Sequence, residues 1–177
     1  LNDTIWKVRD HSQVIKEGRN YAFNNVLVSQ STQDFSLNGF INEDPTKQLV
    51  VDVDSFDLEM LNPLINKFNL KLSGIMDGST VINDFYGEIN LFSNLGFKKL
   101  VVNQQKIGDG NIKSVWNDTE EKFEIDVSFK SDSLRPITIL GDYYPKRKKN
   151  QLGLKVELEG FPLKVLTPYF KDVVSDI

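Results

Sequence analysis

A period of two dominates the polar and apolar positions of this chain. Phe123, Ile125, Val127 and Phe129 alternate with Glu124, Asp126, Ser128 and Lys130, so one face of the segment is apolar and the other wet. A strand that covers a core or lines a groove must read this way, because successive side chains leave opposite faces. The same alternation runs through Phe35, Leu37, Gly39 and Ile41, through Leu49, Val51 and Val53, and through Ile89 and Leu91. It returns at Ile137 and Ile139, and at Leu152, Leu154, Val156 and Leu158. Turn chemistry separates the runs. Asp109-Gly110, between Ile107 and Ile112, predicts a two-residue hairpin turn whose central positions need φ > 0, and Asp77-Gly78 is a second, less cleanly flanked candidate. Asp44-Pro45 and Tyr144-Pro145 each open a polar loop. Sequential hairpins of this kind predict an all-β antiparallel meander.

Two stretches break the period: Leu58 to Ile65, after Phe56, and Leu163 to Phe170, after Phe161. Asn62-Pro63 and Thr167-Pro168 each set a good N-cap residue before a proline, which loses nothing at the first helical position. Two short helices are predicted, near 57–68 and 162–173, with the strand pattern resuming at Leu70 and Leu72. The two places are also one place. Phe56, Leu58, Leu61 and Pro63 match Phe161, Leu163, Leu166 and Pro168 at a constant offset of 105, which the strand before them keeps. One hairpin earlier, Phe35, Leu37 and Gly39 match Ile137, Ile139 and Gly141 at 102; more weakly, Trp6 and Trp116 head the two copies. The chain therefore reads as a single β-rich segment, 1–177, with two related units at about 1–74 and 107–177. Stacked hairpin blocks extend a sheet, so an extended, curved antiparallel sheet is expected. A start at Leu1 and an end at Ile177 without tail composition read as a segment of a larger protein.

Composition narrows the chemistry. Apolar residues make up 40% of the chain and charged ones 26%, which excludes a disordered segment. A net charge of −4 is too small and too mixed to argue for a nucleic-acid partner or an anionic bilayer surface, and Lys146-Arg147-Lys148-Lys149 reads as a solvated hairpin turn. With no cysteine there is no disulfide, thiolate zinc site or Cys nucleophile. His11 is the one histidine, in a polar setting that suits a surface turn. Asp52, Asp54 and Asp57 share part of a calcium-loop spacing but lack its glycine and closing glutamate, and they read as the wet side of a strand. Glu120 and Glu121 fall in a turn, and Glu124 and Asp126 continue an outer face. A glycosidase pair converging from distant strands is the one enzymatic alternative. No catalytic residue, metal or cofactor is otherwise implied.

That leaves the apolar faces. In a closed sandwich they are ordinary core; in a sheet that curls without closing they line a trough for acyl chains. The candidate lining is Phe123, Ile125, Val127, Phe129, Leu154, Val156, Leu158, Leu49, Val51 and Val53.

The chain resembles the C-terminal region of TamB-like proteins, the inner-membrane subunits of the translocation and assembly module, in the Bacteroides-type form of the AsmA-like group. The resembling stretches are Trp6 with Phe35 to Gly39, Val51 to Leu58 with Leu61 to Pro63, and Leu70 to Gly74. Ile139 to Pro145 and Phe161 to Leu163 with Pro168 to Phe170 repeat the pattern. The resemblance implies an elongated β-groove with an apolar interior, the β-taco, in a periplasmic segment anchored to the inner membrane through regions outside this chain. It further implies phospholipid or another acyl-chain ligand as cargo, phospholipid transport between membranes, and outer-membrane protein assembly with an Omp85-family partner. No catalytic residue comes with it. The rival reading is a structural or protein-binding β-module, such as a scaffold or adhesin segment, without lipid cargo.

Overall fold

In a computed structural model the chain is described over residues 5–130 and 136–158. The strands are β1 (Lys7–Val8), β2 (Gln13–Glu17), β3 (Asn20–Gln30), β4 (Gln33–Ile41), β5 (Gln48–Asp57), β6 (Leu72–Asn83), β7 (Asn90–Val102), β8 (Gln105–Asn117), β9 (Lys122–Lys130), β10 (Ile137–Tyr143) and β11 (Leu152–Leu158). All eleven belong to one open, curved sheet, and from β3 to β11 each strand pairs antiparallel with the next in sequence. β1 and β2 share the remaining edge of β3, at Val28–Ser29 and Asn20–Asn24 respectively. The expected meander is thus the fold. Asp44-Pro45, Tyr144-Pro145, Glu120-Glu121 and the run from Lys146 to Lys149 all lie in its connections, and Ile89 falls just ahead of β7.

The two Asp-Gly signals do not turn the chain. Asp77-Gly78 lies inside β6 and Asp109-Gly110 inside β8. The turn between β7 and β8 is Asn103-Gln104, with φ of 48° and 71°. Both aspartates instead serve bulges in the strand beside them. Ser55, at φ 53°, donates its N–H to Asp77 Oδ1 at 2.9 Å; Lys99, also at φ 53°, donates its N–H to Asp109 Oδ1 at 2.7 Å. Each bulge leaves a main-chain donor out of the ladder, and a carboxylate from the neighbouring strand satisfies it. Gly110 is required by space. A Cβ there would stand 2.3 Å from the Ser128 carbonyl oxygen and 2.2 Å from the Phe129 ring.

One helical passage interrupts the strands: a 3-10 turn at Leu58–Leu61, the helix α1 at Asn62–Ile65, and a second 3-10 turn at Asn66–Phe68. Its bounds are those expected, but its cap is not Asn62. Asp57 is the N-cap, accepting from Glu59 N–H at 2.9 Å, and Pro63 sits in the first turn of α1. The Asn62 side chain spans to β6, donating to Leu72 O at 2.9 Å and accepting from Leu72 N–H at 2.8 Å. This fastens the passage across one end of the sheet. Leu58, 2% exposed, joins Leu100, Phe129 and Ile137 in the one buried cluster among the described residues. The second expected helix, near 162–173, lies outside the described residues.

Candidate functional site: the apolar concave face

Register decides which side chains share a face, because residues directly opposite in adjacent strands project the same way. Four rows cross the sheet. The row nearest the helical passage is Phe56, Met76, Phe97, Gly110, Phe129, Ile137 and, by backbone register, Leu158. The second is Val28, Phe35, Val53, Gly78, Leu95, Ile112, Val127, Ile139 and Val156. The third is Val26, Leu37, Val51, Thr80, Ser93, Ser114, Ile125, Gly141 and Leu154. The fourth has two pieces: Val14, Phe23, Gly39, Leu49, Ile82 and Leu91, then Trp116, Phe123, Tyr143 and Leu152.

No position in these rows carries a charge. The polar members are small hydroxyls at the centre, where Thr80 Oγ1 and Ser93 Oγ are 3.0 Å apart, and the Tyr143 ring at one end. Tyr143 closes an aromatic run, with Trp116 to Phe123 at 4.8 Å and Phe123 to Tyr143 at 6.3 Å between centroids. Every candidate lining residue named from sequence has its backbone in these rows, and the nine other than Leu158 project onto one face. The face also holds residues the sequence reading missed: Met76, Thr80 and Ile82 of β6, Leu95, Phe97 and Leu100 of β7, and Ile112 of β8.

The face is covered unevenly. Val26, Leu49, Leu100, Phe129 and Ile137 are buried on it, most others are half-buried, and the β11 end stands open. Leu152, Leu154 and Val156 are 57%, 40% and 48% exposed. An apolar strip of this kind on a sheet of this width is a surface with unmet demand for burial.

The opposite face carries the charges. Asp34 pairs in register with Asp54, Ser36 with Asp52, Lys113 with Asp126 and Asp142 with Glu124. Lys122 approaches Glu120 at 2.8 Å and Asp142 at 3.2 Å; Glu120 first, then Asp142, raises its pKa above the ordinary lysine value. Of the carboxylates weighed from sequence as possible calcium or glycosidase groups, Asp52, Asp54, Glu124 and Asp126 therefore project away from the apolar face, Asp57 caps the helical passage, and Glu120 and Glu121 lie in the turn before β9. His11 sits in the turn between β1 and β2 at φ 68°, exposed. At the end away from α1, loops are tied to one another. Lys146 contacts Glu88 and Glu121, and the Arg19 guanidinium lies 4.3 Å from the Tyr86 ring centre. Glu121 first, then Glu88, raises the Lys146 pKa.

The geometry thus defines a class: an open, curved antiparallel sheet with one face whose four central rows carry no charge, bordered by Lys16 of β2 over the Tyr21 ring. No protein-family profile, curated protein or solved structure matches the chain.

Proposed function

We propose that this chain is a non-catalytic, TamB-like segment whose concave face holds the acyl chains of phospholipid. In this reading it serves lipid transport between membranes and outer-membrane protein assembly, in the periplasm, beside an Omp85-family partner. The observation that supports it is the set of four uncharged rows, open to solvent at β11. Each methylene moved from water onto such a face contributes about 0.8 kcal/mol. The equivalence of two hairpins also supports it. Leu37 opposite Val51 and Gly39 opposite Leu49 have the register of Ile139 opposite Val156 and Gly141 opposite Leu154, so one building block recurs along the groove. Anchoring to the inner membrane belongs to regions outside the chain; no helix among the described residues is long and apolar enough to cross a membrane.

Organic extraction of the purified protein followed by mass spectrometry tests the reading. Acyl lipid is expected to co-purify, and the lipid-stripped protein is expected to take up a fluorescent fatty acid. Absence of both would overturn it. Val127→Glu places a charge on the cleanest apolar strand, but Val127 packs against the buried cluster. Leu154→Glu places a charge on the same face where it is open, so it separates lost uptake from lost folding.

One observation favours a protein-binding β-module instead. Among the described residues no strand pairs with the second edge of β11, which offers backbone groups to an added strand. Capture of extended peptides by lipid-free protein, with no lipid uptake, would decide for it.

A further inference from the structure

Near the passage-bearing end of the sheet, β7, β8 and β9 form a half-open recess of about 340 Å³, lined by Lys99, Leu100, Val101, Lys106, Gly108, Asp109 and Lys130. Asp109 and Lys130 are opposite in register one place along from Gly110 and Phe129, so their side chains leave on the outer face of the sheet. Three lysines from three adjacent strands therefore line one recess with a single aspartate. That carboxylate is already engaged, since its Oδ1 accepts the Lys99 N–H at 2.7 Å. Their neighbour Lys98 has an acidic partner, Asp77, at 3.1 Å. Lys99, Lys106 and Lys130 have none within ion-pairing distance among the described residues. In a chain of net charge −4 this is a local excess of positive charge, and Val101, opposite Lys106 in register, adds an apolar side to the recess. Like charges held together repel one another, and an anion in the recess relieves them.

We propose that this recess binds a phosphate group. Lysine ammonium ions are compact, multiply donating charges suited to phosphate oxygens, and three of them match the anion's several acceptors. The volume is at the small end of ligand sites, enough for the phosphate and a small attached group. A membrane-lipid headgroup and a soluble phosphate ester share this chemistry. The inference does not depend on the concave face having an occupant, because the recess is on the other side of the sheet.

The experiment titrates the whole chain with inorganic phosphate while amide NMR shifts are followed at Lys99, Gly108 and Lys130. Saturable shifts are expected, with affinity falling as salt rises. The pair Lys106→Glu with Lys130→Glu is expected to weaken binding at least about tenfold. Lys148→Glu, one charge reversal in the β10–β11 loop at the far end of the sheet, is expected to leave it unchanged. Flotation with phosphatidylcholine vesicles, with and without phosphatidylglycerol, then separates the sources. Binding to the anionic vesicles that the double variant loses assigns a lipid headgroup; saturable phosphate binding without flotation assigns a soluble phosphate. Shifts that never saturate, or an equal loss in Lys148→Glu, overturn the proposal, because they describe a diffuse ion atmosphere.

Discussion

At the scale of single residues, aspartates next to glycines do more structural work in this protein than their turn propensity conveys. Asp77 holds the main-chain donor of a bulge in β5, and Asp109 does the same for β7. The Ser55 N–H is the main reason the Asp77 carboxyl sits below the ordinary carboxylate pKa, with Lys98 acting in the same direction and partial burial opposing both. A pKa lower in the folded state than in the unfolded chain means stabilisation that is complete above the unfolded value, near 4, and lost as pH falls through the folded one. Asp77→Ala is therefore expected to lower stability by about 1–2 kcal/mol at pH 7. The gap to the native protein should narrow in acid. Urea unfolding at pH 7 and pH 3 reads both; a gap that is the same at the two values contradicts the assignment. These Asp-Gly pairs were legible as special positions but not as bulges. A local rule sees that Gly110 must lack a side chain, while the cause, Phe129 and Ser128 on the next strand, lies about twenty residues away in sequence.

At the scale of elements, strands with one wet face were legible and strands with polar and apolar residues mixed on both faces were not. β9 reads cleanly because Glu124, Asp126 and Ser128 face water. β6 hides its inner row, Met76, Gly78, Thr80 and Ile82, for two reasons. Two of those residues are small or polar, and the outer face of β6 carries Ile75 and Val81. Val81 belongs to an outer apolar row with Val50, Phe92 and Val115, in register across four strands, and this removes the contrast that alternation needs. The helical passage and its bounds were legible from Pro63 and the break in alternation, yet its cap was not, because Asp57 caps a 3-10 turn that carries no proline signal. What holds the passage down is Leu58. Leu58→Ala removes a side chain 2% exposed in the main buried cluster and is expected to cost about 2–5 kcal/mol. Since Asn62 still grips Leu72, circular dichroism should keep its strand signal while the denaturation midpoint falls. A midpoint within experimental error of the native one would place Leu58 outside the core.

At the scale of the whole molecule, alternation alone says that each strand has an apolar face and says nothing of what covers it. A closed sandwich and an open groove share one alternation pattern; the recurring hairpin block is what pointed to the extended, curved sheet, while the bulges, the register and the helical cap followed only from the structure. The open face carries its own thermodynamic test. A ligand that binds the folded sheet and not the unfolded chain raises stability in proportion to the logarithm of its concentration, by about 2.7 kcal/mol at one hundred times its dissociation constant. Lauric acid, below its micelle-forming concentration, is therefore expected to raise the melting temperature of the lipid-stripped protein progressively. Leu154→Glu, on the open part of the concave face, should abolish the rise. Ser128→Glu puts the same charge on the outer face of β9, between Val127 and Phe129, and should leave the rise intact. If the two variants behave alike, or if laurate lowers the melting temperature of all three proteins, the fatty acid acts on the unfolded chain or on the surface at large. The concave face would then be a core whose cover is protein, and the edge of β11 would be the place to look for it.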